Sequence, residues 1–263
     1  LTAGGRHILA AGPMAQIWRG PTDNDGIKGW GGPQGKPLAR WLQAGLEDLT
    51  LTNQAFDLNQ RDDEVIVRIR TIGACTANSR LLVHEHTYQF RPEGCLSITN
   101  RFELAKEGED CPRLGVRMEL PADFHTLAWF GAGPHETYRD RQSGAWIGRF
   151  EERVRGQILP YVVPQEYANH AELRWLEMQS DWGALRFTPS GRCEGQALPY
   201  TAQDLFAASH GHLLQPRDGV FVSLDVAQRG LGSASCGPDT AAQYRIRAGV
   251  HQLDFSVEFR EMG

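Results

Sequence analysis

No stretch of this 263-residue sequence offers the run of about 20 apolar residues that would cross a bilayer as a helix. Lysine and arginine gather into no stripe, and the formal net charge is −5. Neither nucleic acid nor an anionic membrane is therefore expected as a partner. Cysteine is scarce: Cys75, Cys95, Cys111, Cys193 and Cys236 are odd in number, scattered and without a CxxC pair. That pattern argues against a disulfide framework and a structural zinc site, and predicts reduced, mostly buried thiols in a cytoplasmic protein. The first ten residues, LTAGGRHILA, hold no Met and no basic segment leading into an apolar one. The chain thus reads as an excerpt of a longer protein and not as a processed secreted one. Linkers and internal repeats are absent too, so residues 1–263 are expected to form one domain.

What is present is an ordinary globular composition, 41% hydrophobic and 22% charged, patterned mainly with a period of two. Leu253, Phe255, Val257 and Phe259 alternate with Gln252, Asp254, Ser256, Glu258 and Arg260, and Val65, Val67 and Ile69 alternate with Ile66, Arg68 and Arg70. Successive strand side chains face opposite sides, so such alternation marks a strand with one buried and one wet face. Similar runs near 49–56, 81–90, 94–103, 115–121, 126–131, 172–178, 182–188, 219–227 and 241–248 are separated by turn-forming residues. The spacing predicts an all-β antiparallel sandwich of more than a dozen strands, because a parallel sheet would need a helical crossover after each strand. Two short helices are expected. One lies over 37–47, where Leu38, Trp41, Leu42 and Leu46 recur at helical spacing, and one over 201–208, where Thr201 and Asp204 form a cap signature. Of the seven tryptophans, at least five are expected in the core.

Three segments carry more than fold information. In Ile17-Trp18-Arg19-Gly20-Pro21-Thr22-Asp23-Asn24-Asp25-Gly26, Pro21 and three consecutive Asx residues describe a rigid loop. Asp23 and Asp25 have the spacing of a calcium loop, but Gly26 comes too early and no Glu completes it, so no metal is expected. The second pairs Gly131-Ala132-Gly133-Pro134-His135-Glu136-Thr137-Tyr138-Arg139-Asp140-Arg141 with Tyr161-Val162-Val163-Pro164-Gln165-Glu166. His135 with Glu136, or Glu166 with His170, has the makings of an acid/base pair. Adjacent residues on a strand face apart, however, which favours structural carboxylates braced by arginine. The third, Gly230-Leu231-Gly232-Ser233-Ala234-Ser235-Cys236-Gly237-Pro238, permits close backbone approach but lacks the Lys-Ser/Thr pair and helix of a phosphate loop.

Taken in order, WRGPTDND, GAGPHETYRDR, YVVPQE, HGHLL at 210–214 and GLGSASCGP resemble the C-terminal, small-chain domain of the β-galactosidases of glycoside hydrolase family 2. The resemblance spans nearly the whole chain. It implies the large super-sandwich also seen in galactose mutarotases, attached to a TIM-barrel domain whose two glutamates cleave terminal β-galactosides such as lactose. No catalytic residue and no cofactor is then expected here, the magnesium and sodium ions of the family belonging to the barrel. A homo-oligomer is expected of the whole enzyme. The resemblance also implies a sugar-contacting loop and a mobile bordering loop, which points to Cys236, Ser235, Gly26 and Trp30 as substrate-binding. Cys236 occupies the place of a family aromatic, and Trp30 is the candidate to supply the ring instead. Asp23, Asn24, Asp25, Glu136, Arg139, Asp140, Arg141 and Glu166 are expected to build the loops. An excised domain of this kind should expose an apolar patch where the remainder docks. Two alternatives from other classes are a free-standing aldose 1-epimerase, drawing on His86, His135, His170 and His212 with Glu136 and Glu166, and a non-catalytic carbohydrate-binding module with a row of exposed aromatics.

Overall fold

A computed structural model describes residues 1–28, 35–61, 63–92 and 94–261. Fifteen strands occur among them: β1 (Thr2–Ala3), β2 (Arg6–His7), β3 (Ala11–Gln16), β4 (Thr50–Arg61), β5 (Glu64–Ala74), β6 (Leu82–Phe90), β7 (Leu96–Leu104), β8 (Arg113–Leu120), β9 (Thr126–Gly133), β10 (Trp146–Arg153), β11 (Trp175–Gln179), β12 (Gly183–Pro189), β13 (Glu194–Leu198), β14 (Val220–Gln228) and β15 (Gly249–Glu261). Every paired neighbour is antiparallel. Nine strands form one sheet in the order β10-β9-β11-β12-β15-β7-β6-β5-β4, and four form a second in the order β13-β14-β8-β3. This is the expected all-β antiparallel sandwich.

The sheets meet over one core. Leu114, Val116, Met118 and Leu120 of β8 and Val220, Val222 and Leu224 of β14 project from the smaller sheet. They meet Leu127 and Trp129 of β9, Leu185 and Phe187 of β12 and Leu253, Phe255 and Val257 of β15. Alternate positions on each strand supply this face, as a pleated sheet requires. Two helices pack at the rim. In α1 (Pro37–Ala44) proline opens the first turn and Gly45, at φ +74°, ends it three residues short of the expected bound at 47, so that Leu46 falls in a separate 3-10 turn; Leu38 and Trp41 are buried. In α2 (Ala202–Ala207) Thr201 and Asp204 form the expected capping box. Both helices press on Trp18, whose ring lies 6.2 Å from Trp41 and 5.3 Å from Phe206. That clamp fixes the chain as it leaves β3 for the loop at Pro21.

The sequence pattern misled at several places. Residues 241–248 are not a strand: a short 3-10 turn, Ala242–Tyr244, precedes β15, and Arg245 Nε donates to the Thr240 carbonyl instead of entering a ladder. The run at 172–178 begins pairing only at Trp175, because Glu172 sits at φ +55°, a left-handed conformation no strand accommodates. Strands β1, β2, β3, β10 and β13 gave no sufficient alternation in sequence. Trp18, Trp41 and Trp129 are deeply buried, but Trp175 and Trp182 are only half-buried, and Trp146 is 60% exposed. Of the cysteines only Cys111 and Cys193 are buried, Cys236 is exposed, and all five are free.

The core-facing surface of β6 also holds two imidazoles. His84 stacks on Phe102 at 4.6 Å and on His86 at 4.3 Å, and its Nε2 meets Asn100 Oδ1 at 3.0 Å. Burial lowers His84 from 6.5 to about 4 and His86 to about 3, with the neighbouring imidazole adding to the latter. The unfolded chain therefore takes up these protons at higher pH than the folded one. Stability is fully present above pH about 6.5 and falls as pH drops towards these values, by up to about 1.4 kcal/mol per pH unit per imidazole. Denaturant titrations across this range should show His86→Gln with a slope shallower by one proton; identical slopes would contradict neutral burial.

Candidate functional site

Three motif loops converge at one edge of the sandwich, and buried arginines hold them. Arg19 leaves β3 fully buried and forms a fork on Asp25, with Nη2 to Oδ1 at 2.6 Å and Nε to Oδ2 at 3.0 Å. Its third nitrogen, Nη1, donates to the Arg229 carbonyl across the molecule at 2.5 Å. Asp25 Oδ2 also accepts from the Thr22 amide at 2.9 Å and the Thr22 hydroxyl at 3.1 Å, which closes the loop on itself. Gly26 follows at φ +146°, a conformation that suits glycine. The spacing of Asp23 and Asp25 does not fit a cation, because the oxygens of Asp25 are already engaged and Asp23 faces outward.

The loop's exposed tip is stitched to the glycine-rich segment. Asn24 Nδ2 donates to the Gly232 carbonyl at 3.0 Å, and Asn24 Oδ1 accepts from the Ser235 amide at 3.1 Å and the Ser235 hydroxyl at 2.7 Å. From the other side Asp140 accepts the amides of Leu231 at 3.0 Å and Gly232 at 2.7 Å, while Arg141 Nη2 reaches the Gly232 carbonyl at 2.6 Å. Close approach explains the glycines. A Cβ on Gly230 would lie 2.8 Å from the Asp140 carboxyl carbon, and one on Gly232, at φ +62°, 2.7 Å from the Thr240 amide nitrogen. Ser235 and Cys236 are left exposed on the resulting turn.

Beneath the loops lies a second buried cluster. Arg113 bridges Glu166 at 2.9 Å and Asp225 at 3.0 Å. Burial opposes its charge, yet those two carboxylates hold the guanidinium above its usual range. Glu166 Oε2 also accepts the Gly20 amide at 2.9 Å, tying this cluster to the Pro21 loop. Arg139 pairs with Glu194 at 3.1 Å. Glu166 is thus the expected arginine-braced carboxylate, whereas Glu136 is not: its Oε2 accepts the Ala168 amide at 2.8 Å, and burial raises its pKa against that hydrogen bond. Strand β9 also ends at Gly133, so His135 and Glu136 stand on a loop and line one cavity of about 330 Å³ with Gln157 and His170. His170 stacks on Trp129 at 3.9 Å, and burial lowers it to about 3, so it stays neutral at ordinary pH.

Eleven of the twelve residues expected to bind substrate or build the loops therefore lie within this group of loops and the clusters beneath them, and Trp30 lies outside the described residues. Sequence reasoning assigned no role to Arg19, Arg113, Asp225 or Arg229. Arg19 stands inside the WRGPTDND motif, and Arg113 and Asp225 are charges at otherwise apolar strand positions, the one sequence signal that marks them. Lys28 was missed as well. Its ammonium donates to the Phe206 and Ala208 carbonyls at the end of α2, at 3.2 and 3.0 Å, and burial lowers its pKa to about 8 against the pull of Asp23.

The family model for the β-galactosidase small chain matches residues 1–259. The chain belongs to that family. Among relatives, this chain is 33% identical to a β-galactosidase of Arthrobacter sp., over 94% of its length and 26% of that protein. It is 31% identical to one from Lactobacillus delbrueckii subsp. bulgaricus, over 87% and 22%. The chain thus spans about a quarter of the length of the relatives it matches. Among solved structures, a GalM/aldose epimerase homologue from C. elegans aligns with a TM-score of 0.41 at 11% identity, over 80% of this chain and 70% of that one. A fold-level likeness of this size carries no activity across.

Because Arg19 and Asp25 are fully buried and complete each other, Asp25→Ala should leave a bare guanidinium and destabilise the chain by about 3–5 kcal/mol. Asn24→Ala, at the half-exposed tip, should lose about 1 kcal/mol. Denaturant unfolding measures both, and similar losses for the two would contradict the buried-pair account.

Proposed function

We propose that this chain is the part of a β-galactosidase that frames the sugar pocket, while the bond-breaking carboxylates reside in a barrel domain beyond these residues. The observation carrying this reading is the Asn24 stitch, which joins the Pro21 loop to the Ser235–Cys236 turn as one rim. A rim held in this way can place the exposed side chains of Ser235 and Cys236 against a sugar. On this reading the galactoside meets Gly26, Trp30, Ser235 and Cys236, and the thiol of Cys236 offers less stacking area than an aromatic face would.

The buried acids near the rim support a framing role and not a catalytic one. Asp25, Glu166, Asp225 and Glu194 are each paired with arginine. Retaining glycosidases need two carboxyls about 5–5.5 Å apart, one free to attack and one to exchange a proton. A barrel of roughly 250 residues could supply them, and the relatives have the length to hold it. The reading further takes residues 1–263 as one domain of a cytoplasmic homo-oligomer, consistent with free thiols, with no cofactor held by this chain and any magnesium or sodium bound in the barrel. The epimerase alternative is weakened by His170 and His86, whose stacked, neutral imidazoles are poor proton carriers near neutrality.

The purified 263-residue chain should release no product from a chromogenic galactoside above a contaminant control; turnover by it would overturn the division of labour. In the intact enzyme, Asn24→Ala should raise KM several-fold through a loosened rim. Unchanged kinetics would remove the rim from substrate binding.

A further inference from the structure

Over β4, β5 and β6 the two faces of the large sheet differ in chemistry. One is wet and charged: Arg68 pairs with Asp57 at 3.2 Å, and Arg101 with Glu85 at 3.3 Å. The register Phe56↔Ile69 and Leu58↔Val67↔Tyr88 puts apolar side chains on the other. Where the smaller sheet overlies it this face is filled. Towards β4 it is not: Phe56 is 67% and Leu58 59% exposed. Alongside them Val67, Tyr88 and Phe90 line an apolar cavity of about 250 Å³ whose far wall includes Leu9 and Pro13. Strand β4, twelve residues long, is also the last in its sheet, so one row of its backbone N–H and C=O groups has no strand partner among the described residues.

A long edge strand with uncovered aromatic and aliphatic side chains is a template for another chain, and isolated proteins blunt such edges with charge, proline or short length. Of Phe56, Leu58, Val67, Ile69, Tyr88 and Phe90 none is charged, so an acidic or basic partner would gain nothing here. The relatives place about three-quarters of their length outside the region this chain matches. We propose that this face docks an extended, apolar segment of the β-galactosidase polypeptide beyond residues 1–263, in the same chain or a separate large subunit. That segment seats aliphatic or aromatic side chains on Phe56 and Leu58 and pairs along β4. The inference rests on the reading of this chain as part of a β-galactosidase, and it names a contact surface built of residues other than those of the rim loops.

The test places the photo-crosslinking residue p-benzoylphenylalanine at Leu58 in the intact enzyme and identifies the joined peptide by mass spectrometry. A peptide from outside residues 1–263 is expected. A product joining two copies of this region, or no product, overturns the proposal. As a second arm, Phe56→Asp with Leu58→Asp should shift the thermal midpoint of the isolated chain by less than about 2 °C, since both side chains are already exposed. The same double variant should lower the midpoint of the intact enzyme and cut its activity at least tenfold. An unchanged intact enzyme overturns the docking face. An enzyme that crosslinks as expected but cleaves no galactoside overturns the activity reading and leaves the docking face standing.

Discussion

Three guanidinium groups, those of Arg19, Arg113 and Arg229, lie almost wholly out of water beneath the loops at one edge of the sandwich. A charge in that position must be matched by carboxylates in good geometry, and the arginines find theirs at separations from six residues, for Arg19 and Asp25, to 119, for Arg229 and Asp110. Arg113 of β8 takes Glu166 and Asp225; Arg229 takes Asp110 at 2.6 Å and Asp239 at 2.9 Å. Arg19 holds Asp25 and, through the Arg229 carbonyl, the start of the glycine-rich loop. Buried ion pairs of this kind add little net stability over well-packed apolar groups, but they penalise any arrangement that leaves one partner alone. Their contribution is thus to the uniqueness of the loop arrangement. An apolar core would tolerate small slips of these loops, and a fork of guanidinium on carboxylate does not.

The exposed chemistry is built on that frame. Asn24 and Asp140 hold the 231–235 backbone from opposite sides, so the turn carrying Ser235 and Cys236 has little freedom to drift. The Trp18 clamp between α1 and α2, with Lys28 at the end of α2, fixes the opposing loop in the same way. On the proposed reading, a pocket completed by a second domain requires such rigidity, because a displacement of one ångström at the rim moves a sugar out of register with catalytic groups it does not share a domain with. The apolar face along β4 complements this arrangement. The rim loops present polar groups, while the sheet along β4 presents an uncharged, apolar surface.

Much of the sandwich was legible in sequence because a half-buried strand must alternate. β7 and β15 announce themselves through residues such as Ile98, Asn100 and Phe102 or Leu253, Phe255 and Val257. β10 did not, since Trp146 and Ile147 are exposed side by side, nor did β13, whose residues are buried on both faces. The apparent alternation at 241–248 was a coincidence of spacing that the hydrogen bonds of Arg245 and the turn at Ala242 override.

Local chemistry alone determined the capping box of α2 and the five ordered motifs that identify the small-chain family. Each depends on residues close in the chain or on their order. Only the tertiary structure decided which carboxylates meet which arginines, that Glu136 is held by a backbone amide while Glu166 is braced by Arg113, and that His170 lies neutral under Trp129. Most of those outcomes turn on pairings between residues tens of positions apart or more, and all of them on how completely water is excluded, which no local stretch of sequence records.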